Sequence, residues 1–225
     1  MQCAIRDAMG GAKRERNKTD AHPADRRRRP WPRGAGNPAR RRLAAPAGVL
    51  DDNPASAGLP GIPLLGPLAA AEALRQQGLE AAHVALGDNL RRRALGEWLA
   101  SLGYALPVIR HPSAVVAGSA RIGDGSALLP RVVLGAAAEV GRHAILNTGC
   151  IVEHDSRLED AVHIAPGAVL GGGVRIGATA LVGLGAALKP GVAVGAGAVV
   201  GVGAAVISDV APGLCVGGTP AVPLR

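Results

Sequence analysis

The 225-residue chain has no Phe, one Tyr and two Trp, with aromatics at 1% of the sequence. A core without large rings has to be built from thin layers of aliphatic side chains. That favours a tightly layered β architecture over a bulky helical bundle. Cysteine is also scarce: Cys3, Cys150 and Cys215 are widely spaced, odd in number and match no metal spacing. They read as reduced thiols of a cytoplasmic protein rather than a disulfide framework. No apolar run is long enough to span a bilayer, because the Val/Ala/Gly-rich C-terminal half is interrupted by Gly and scattered charges. The start shows no signal-peptide core, so no membrane partner is expected.

What is abundant is unevenly placed. The formal charge is +8, but residues 1–42 hold 13 Lys/Arg against 4 Asp/Glu, and the rest is close to neutral. A near-neutral body almost without aromatics is poorly suited to phosphate-backbone binding or base stacking, so no nucleic-acid partner is expected. Residues 1–42, with Arg runs broken by Pro, cannot bury a face and read as a basic segment, disordered or non-native.

Residues 43–112 alternate between strand-like and helix-like patterns. "AGVL" reads as a strand ending in Asp51-Asp52, and "PLAAAEALRQQG" as a helix opened by Pro67 and closed by Gly78. "AAHVAL" reads as a buried strand and "GDN" as a turn and cap for a second helix. In that helix Leu90, Ala94, Leu95, Trp98, Leu99 and Leu102 would line one face; "ALPVIR" would be a final strand. This order predicts a small Rossmann-like α/β unit with a parallel sheet, which favours ligands at the carboxyl ends of its strands. Asp51, Asp52 and Gly87 occupy such ends, where ordinary cap and turn duties are the competing explanation.

From Val116 to Val206 every sixth residue is aliphatic, 16 positions without a miss. The fifth place of each hexad is small or β-branched: eight Ala, five Val, two Ser and Cys150. The second place is Gly in eight hexads. This is the hexapeptide signature of a parallel β-helix, expected over residues 113–210 with a C-terminal tail at 211–225. Three hexads close a triangular coil, so the repeat predicts about five coils stacked roughly 4.8 Å apart. Gly at the second place would allow a corner that a side chain would obstruct.

The polar residues on so regular a scaffold have to be weighed one by one. His154 and Asp155 fill the third and fourth places of a hexad, outside the interior. A histidine beside a carboxylate gains basicity and suits proton abstraction near neutral pH; a solvated surface pair is the alternative. His163 closes the next hexad. His143 has no acidic neighbour and reads as structural. Asn147 is polar at the second place, where most hexads carry Gly or Ala, and Thr148 follows it. The intervals of 11 and 9 between His143, His154 and His163 do not aim them at one point, so no metal is expected.

The stretch running from "AILNTGCIVEHDSRLEDAVHIAPGAV" to "VGAAVISDV", with "GVLDDNPASAGLPGIPLLG" and "HVALGDNLRRRAL" before it and "VGGTPAVPLR" after it, resembles the hexapeptide-repeat sugar acyltransferases. That group includes the bacillosamine N-acetyltransferases and the sialic acid O-acetyltransferases. The resemblance covers roughly residues 46–225. It implies a left-handed parallel β-helix, acetyl-CoA as co-substrate, and transfer of acetyl to an amine or hydroxyl of a free or nucleotide-linked sugar by a homotrimer. It implies His154 as general base with Asp155 enhancing its basicity. His163, Leu184 and Val202 would lie against the co-substrate, and Asp51, Asp52 and Gly87 against the nucleotide end of the sugar. A silent trimeric scaffold and a metal-dependent lyase of the same fold are the competing readings. The chain departs from the family at its start, where a Gly-rich phosphate loop followed by histidine is expected. Its only echo is "GAGNPAR", Gly34 to Arg40, in which Pro38 has no N–H to offer a phosphate. Residues 1–45 are therefore expected not to represent a native family start, which would leave residues 43–112 as a truncated α/β nucleotide-sugar-binding domain.

Overall fold

The computed structural model describes residues 3–6, 46–53, 55 and 58–224. The "GAGNPAR" stretch, and all of residues 1–42 except the strand Cys3–Arg6, lie outside the described residues.

The first unit is a four-stranded sheet carrying two helices. Its strands are β1 (Cys3–Arg6), β2 (Gly48–Leu50), β3 (Leu64–Gly66) and β4 (Ala81–Val84), in the order β3-β2-β1-β4. β2 and β3 are parallel, but β1 runs antiparallel to both β2 and β4. The sheet is therefore mixed, where an all-parallel one was expected, because a segment from the basic N-terminal stretch fills its central slot in the opposite direction. The helix opened by Pro67 begins as a 3-10 turn, Leu68–Ala70, and continues as α1 (Ala71–Gln76). Asp88 caps α2 (Asn89–Ser101) by accepting from Arg91 N at 2.9 Å. Leu50, Leu68, Val84, Leu95, Leu99 and Leu106 form the core, with Tyr104 Oη donating to Ala71 O at 2.6 Å.

α2 presents a different face from the one its apolar residues suggested. Arg92, Leu95, Gly96 and Leu99 are buried, whereas Leu90 and Trp98 are exposed. The helix is gripped on two sides, by its own sheet through Leu95 and Leu99 and by the solenoid through Arg92 and Gly96.

From Ile109 the chain winds as a left-handed parallel β-helix. Two-residue strands stack into an eight-stranded, a six-stranded and a five-stranded face. Partners sit 18 residues apart, as in Val140↔Leu158 and Leu146↔Ile164. The second residue of each strand is the hexad's aliphatic plug, and plugs such as Leu128, Leu146, Ile164, Leu170 and Val182 have no accessible surface. Each contributes about 1.5–3 kcal/mol on burial. The fifth-place residues, Cys150 and Ser156 among them, are buried beside the plugs.

The corners divide two tasks that the sequence merged. The left-handed backbone falls at the fourth place, occupied by Gly125, Gly149 and Gly167 but also by His143 (φ 56°) and Asp155 (φ 58°). The second-place glycines serve close approach instead: a Cβ on Gly123 would lie 2.6 Å from the Gly141 carbonyl carbon. The segment expected as a tail continues the solenoid, with Cys215–Gly217 pairing in parallel with Val199–Val200.

Candidate active site

The corner between the six-stranded and five-stranded faces carries His154 and Asp155. His154 Nδ1 lies 2.9 Å from Asp155 Oδ2, and the two side chains are 62% and 70% exposed. The left-handed conformation of Asp155, which Asp tolerates better than most residues, turns its carboxylate back onto the preceding ring. Its amide is tied to Ala136 O in the previous coil at 2.9 Å. The hydrogen bond to Asp155 raises the His154 pKa above the usual imidazole value, with the charges of Asp155 and Glu153 adding to it. Because Nδ1 is engaged by the carboxylate, Nε2 is the free basic nitrogen.

His163 stands on the eight-stranded face and is held from both sides. Asn147 Oδ1 accepts Thr148 N–H at 2.8 Å, so Asn147 Nδ2 is the group 3.1 Å from His163 Nε2 and donates to it. The Gly87 backbone carbonyl lies close to the ring and favours its protonated form. Burial, with the nearby Arg92 charge, lowers the His163 pKa and keeps the imidazole neutral. The structure therefore joins two residues read as binding opposite ends of the substrates, His163 and Gly87.

Arg92 makes that junction rigid, and sequence reasoning missed it. Its side chain is 1% exposed and donates from every guanidinium nitrogen. Nε reaches His143 O at 2.7 Å, Nη1 reaches Leu86 O at 2.8 Å and Gly87 O at 3.3 Å, and Nη2 reaches Asn89 Oδ1 at 2.8 Å and Ala161 O at 2.9 Å. Asn89 Nδ2 adds a bond to Thr179 O at 2.9 Å. A cation clasped by carbonyls is strongly desolvated, and burial pushes the Arg92 pKa down to about 10. The same enclosure keeps His143 and His83 neutral: burial lowers both, His83 to about 4. The His143 ring fills the space beside Gly96 and Gly125, in keeping with a structural role.

Asp51 and Asp52 stand at the carboxyl end of β2. Asp51 Oδ1 accepts Asn53 N at 3.0 Å, and Asp52 Oδ1 accepts Leu68 N at 2.8 Å, which starts the 3-10 turn. Leu184 and Val202 occupy the corner between the eight-stranded and six-stranded faces, one coil apart, with Gly203 N donating to Leu184 O at 2.8 Å. They are 52% and 74% exposed. Cys150 is enclosed, and burial pushes its thiol up to about 12, which makes it unreactive as a nucleophile. His143, His154 and His163 occupy three separate places around the coil, and among the described residues no group of three or more His, Cys, Asp or Glu converges. No helix among the described residues is long and apolar enough to cross a membrane.

No protein-family model matches the chain. A GDP-perosamine N-acetyltransferase of Escherichia coli O157:H7 is 35% identical over 107 residues, 48% of this chain and 48% of that protein, so the match spans about half of the relative's length. Among solved structures, a histidine-to-alanine variant of GDP-perosamine N-acetyltransferase from Caulobacter crescentus, in complex with CoA and GDP-perosamine, is 40% identical with a TM-score of 0.77. That match covers 78% of this chain and 83% of that one. The acetyltransferase domain of PglB from Neisseria gonorrhoeae, in complex with acetyl coenzyme A, is 38% identical with a TM-score of 0.74, covering 78% and 84%. WeeI from Acinetobacter baumannii is 30% identical with a TM-score of 0.69, covering 78% and 84%. By fold, repeat and identity over most of its length, the chain belongs to the hexapeptide-repeat sugar acyltransferases.

Proposed function

We propose that the protein transfers acetyl from acetyl-CoA to an amine of a nucleotide-linked sugar, with His154 as general base. The observation that carries the proposal is the His154–Asp155 pair: an exposed imidazole, its Nδ1 engaged by a carboxylate and its Nε2 open to solvent. The relatives support the substrate classes, since one of them was solved with CoA and GDP-perosamine and another with acetyl coenzyme A.

In this reading His154 Nε2 takes a proton from the sugar amine as the nitrogen attacks the thioester carbonyl. A C–N bond forms, the C–S bond breaks, and the imidazolium returns its proton to the departing thiolate. Asp155 stabilises the imidazolium and holds the ring's orientation. No covalent intermediate is needed, which agrees with the unreactive Cys150. His163, Leu184 and Val202 would lie along the pantetheine arm. Asp51, Asp52 and Gly87 would hold the nucleotide end, and His163 beside Gly87 would bring that end next to the acyl-transfer region.

The site is completed by a second copy, in a homotrimer. His154 and the Leu184–Val202 corner lie on opposite edges of the six-stranded face, separated by a face width on the order of 15 Å and by two to three coils of roughly 4.8 Å along the axis. A side chain cannot bridge that distance within one chain. The outward residues of the face between them are all aliphatic: Val115, Val133, Ile151, Val169, Ala187 and Ala205. The five-stranded face instead shows Arg121, Glu139, Arg157 and Arg175. Packing the aliphatic face against a neighbour would bring one chain's His154 to another's Leu184 corner. The test is release of CoA on adding a nucleotide-linked amino sugar and acetyl-CoA, compared between the native protein and His154→Ala.

A further inference from the structure

We propose that Gly172 is a positioning residue for His154: by carrying no Cβ it leaves the slot that holds the imidazole against Asp155 with Nε2 available to the acceptor. The inference rests on His154 acting as the base. His154 and Gly172 fill the same third place of hexads one coil apart, and Gly173 N donates to His154 O at 2.8 Å, fixing the two corners in register. A methyl group at Gly172 would lie 2.7 Å from both Cε1 and Nε2 of His154 and 3.3 Å from its Cδ2. These are the three nearest heavy atoms it would meet.

The backbone gives no reason for glycine here. The left-handed residue of this corner is Gly173 (φ 69°), whereas Gly172 lies outside that region. The same third place is Ala136 one coil before His154 and Pro190 one coil after Gly172. Gly135 and Gly171 are different, because a Cβ there would meet the backbone of His154 or the ring of Pro190. At Gly172 only the imidazole would have to give way, by roughly 1 Å to reach ordinary van der Waals contact. Such a movement draws the ring away from Asp155, whose backbone is pinned to Ala136 in the previous coil.

Gly172→Ala is therefore expected to fold and assemble as the native protein does, yet slow acetyl transfer about 10-fold or more, the scale of a misplaced general base. In NMR titrations of the free protein its His154 midpoint should fall toward that of an ordinary imidazole, and the acid limb of the rate profile should move to lower pH with it. In a His154→Ala background, Gly172→Ala should cause no further loss of rate. An unchanged His154 midpoint would overturn the proposal, even if CoA affinity fell, because the methyl would then act on the co-substrate alone. A further loss in the His154→Ala background would overturn it too. If Gly172→Ala fails to fold while the double variant folds, the clash with the ring is upheld; if both fail, glycine serves the backbone and the proposal falls. Full activity of His154→Ala by itself would instead refute the role of His154 as base.

Discussion

Asp155 reaches back one residue to His154, 2.9 Å from Nδ1, and it does so from the left-handed backbone region at φ 58°. The regular corner geometry of the solenoid is thus what aims a carboxylate at the candidate base. Asp155→Asn keeps a residue type that tolerates this conformation and removes the charge. The folded-state His154 pKa is raised, so the base is protonated and idle below that value and active above it. In Asp155→Asn the acid limb of kcat/KM should shift to lower pH, and the plateau rate should fall about 10-fold as the base weakens. A pH–rate profile checks both.

The two site histidines are expected to titrate on opposite sides of the normal imidazole value. His154 is raised by Asp155, whereas His163 is lowered chiefly by burial. Proton–carbon correlation spectra collected across pH should give the higher midpoint to the resonance lost in His154→Ala. The lower one should vanish in His163→Gln.

Arg92→Met should leave the carbonyls of Leu86, Gly87, His143 and Ala161 without their donor. Unpaired buried acceptors cost about 1–3 kcal/mol each when water cannot reach them, so a destabilisation of about 3 kcal/mol or more is expected. Urea denaturation should show it as a lower midpoint. Arg93→Met, which breaks only an exposed i,i+4 pair with Glu97, should move the midpoint by less than about 0.5 kcal/mol.

The β-helix could be read almost residue by residue, because one rule repeats and each plug has a single destination. His154 and Asp155 stood out against that rule. The Gly172 contact was also present in the sequence, at His154 plus one 18-residue coil, but a glycine in a glycine-rich repeat gives no sign that it faces a ring. Arg92 was hidden for the opposite reason: a charged residue in a helix is assigned to solvent until something docks on it. The docking that buries Arg92 and brings His163 beside Gly87 links residues 51 or more positions apart, and no local periodicity records it.

Val169, on the aliphatic six-stranded face, is 40% exposed in one chain. Val169→Glu would place a charge in the proposed subunit seam without touching the interior plugs. Sedimentation equilibrium should give a trimer for the native protein and a monomer for the variant. The variant should keep its β-sheet circular dichroism and lose acetyl transfer.

The most direct test of the account is the rate of CoA release with a GDP-linked amino sugar and acetyl-CoA, measured for the native protein and for His154→Ala at the same pH. A turnover in the native protein that falls about 100-fold or more in His154→Ala, with thermal stability unchanged, is the predicted result. Equal rates in the two proteins would contradict the assignment of His154 as the base.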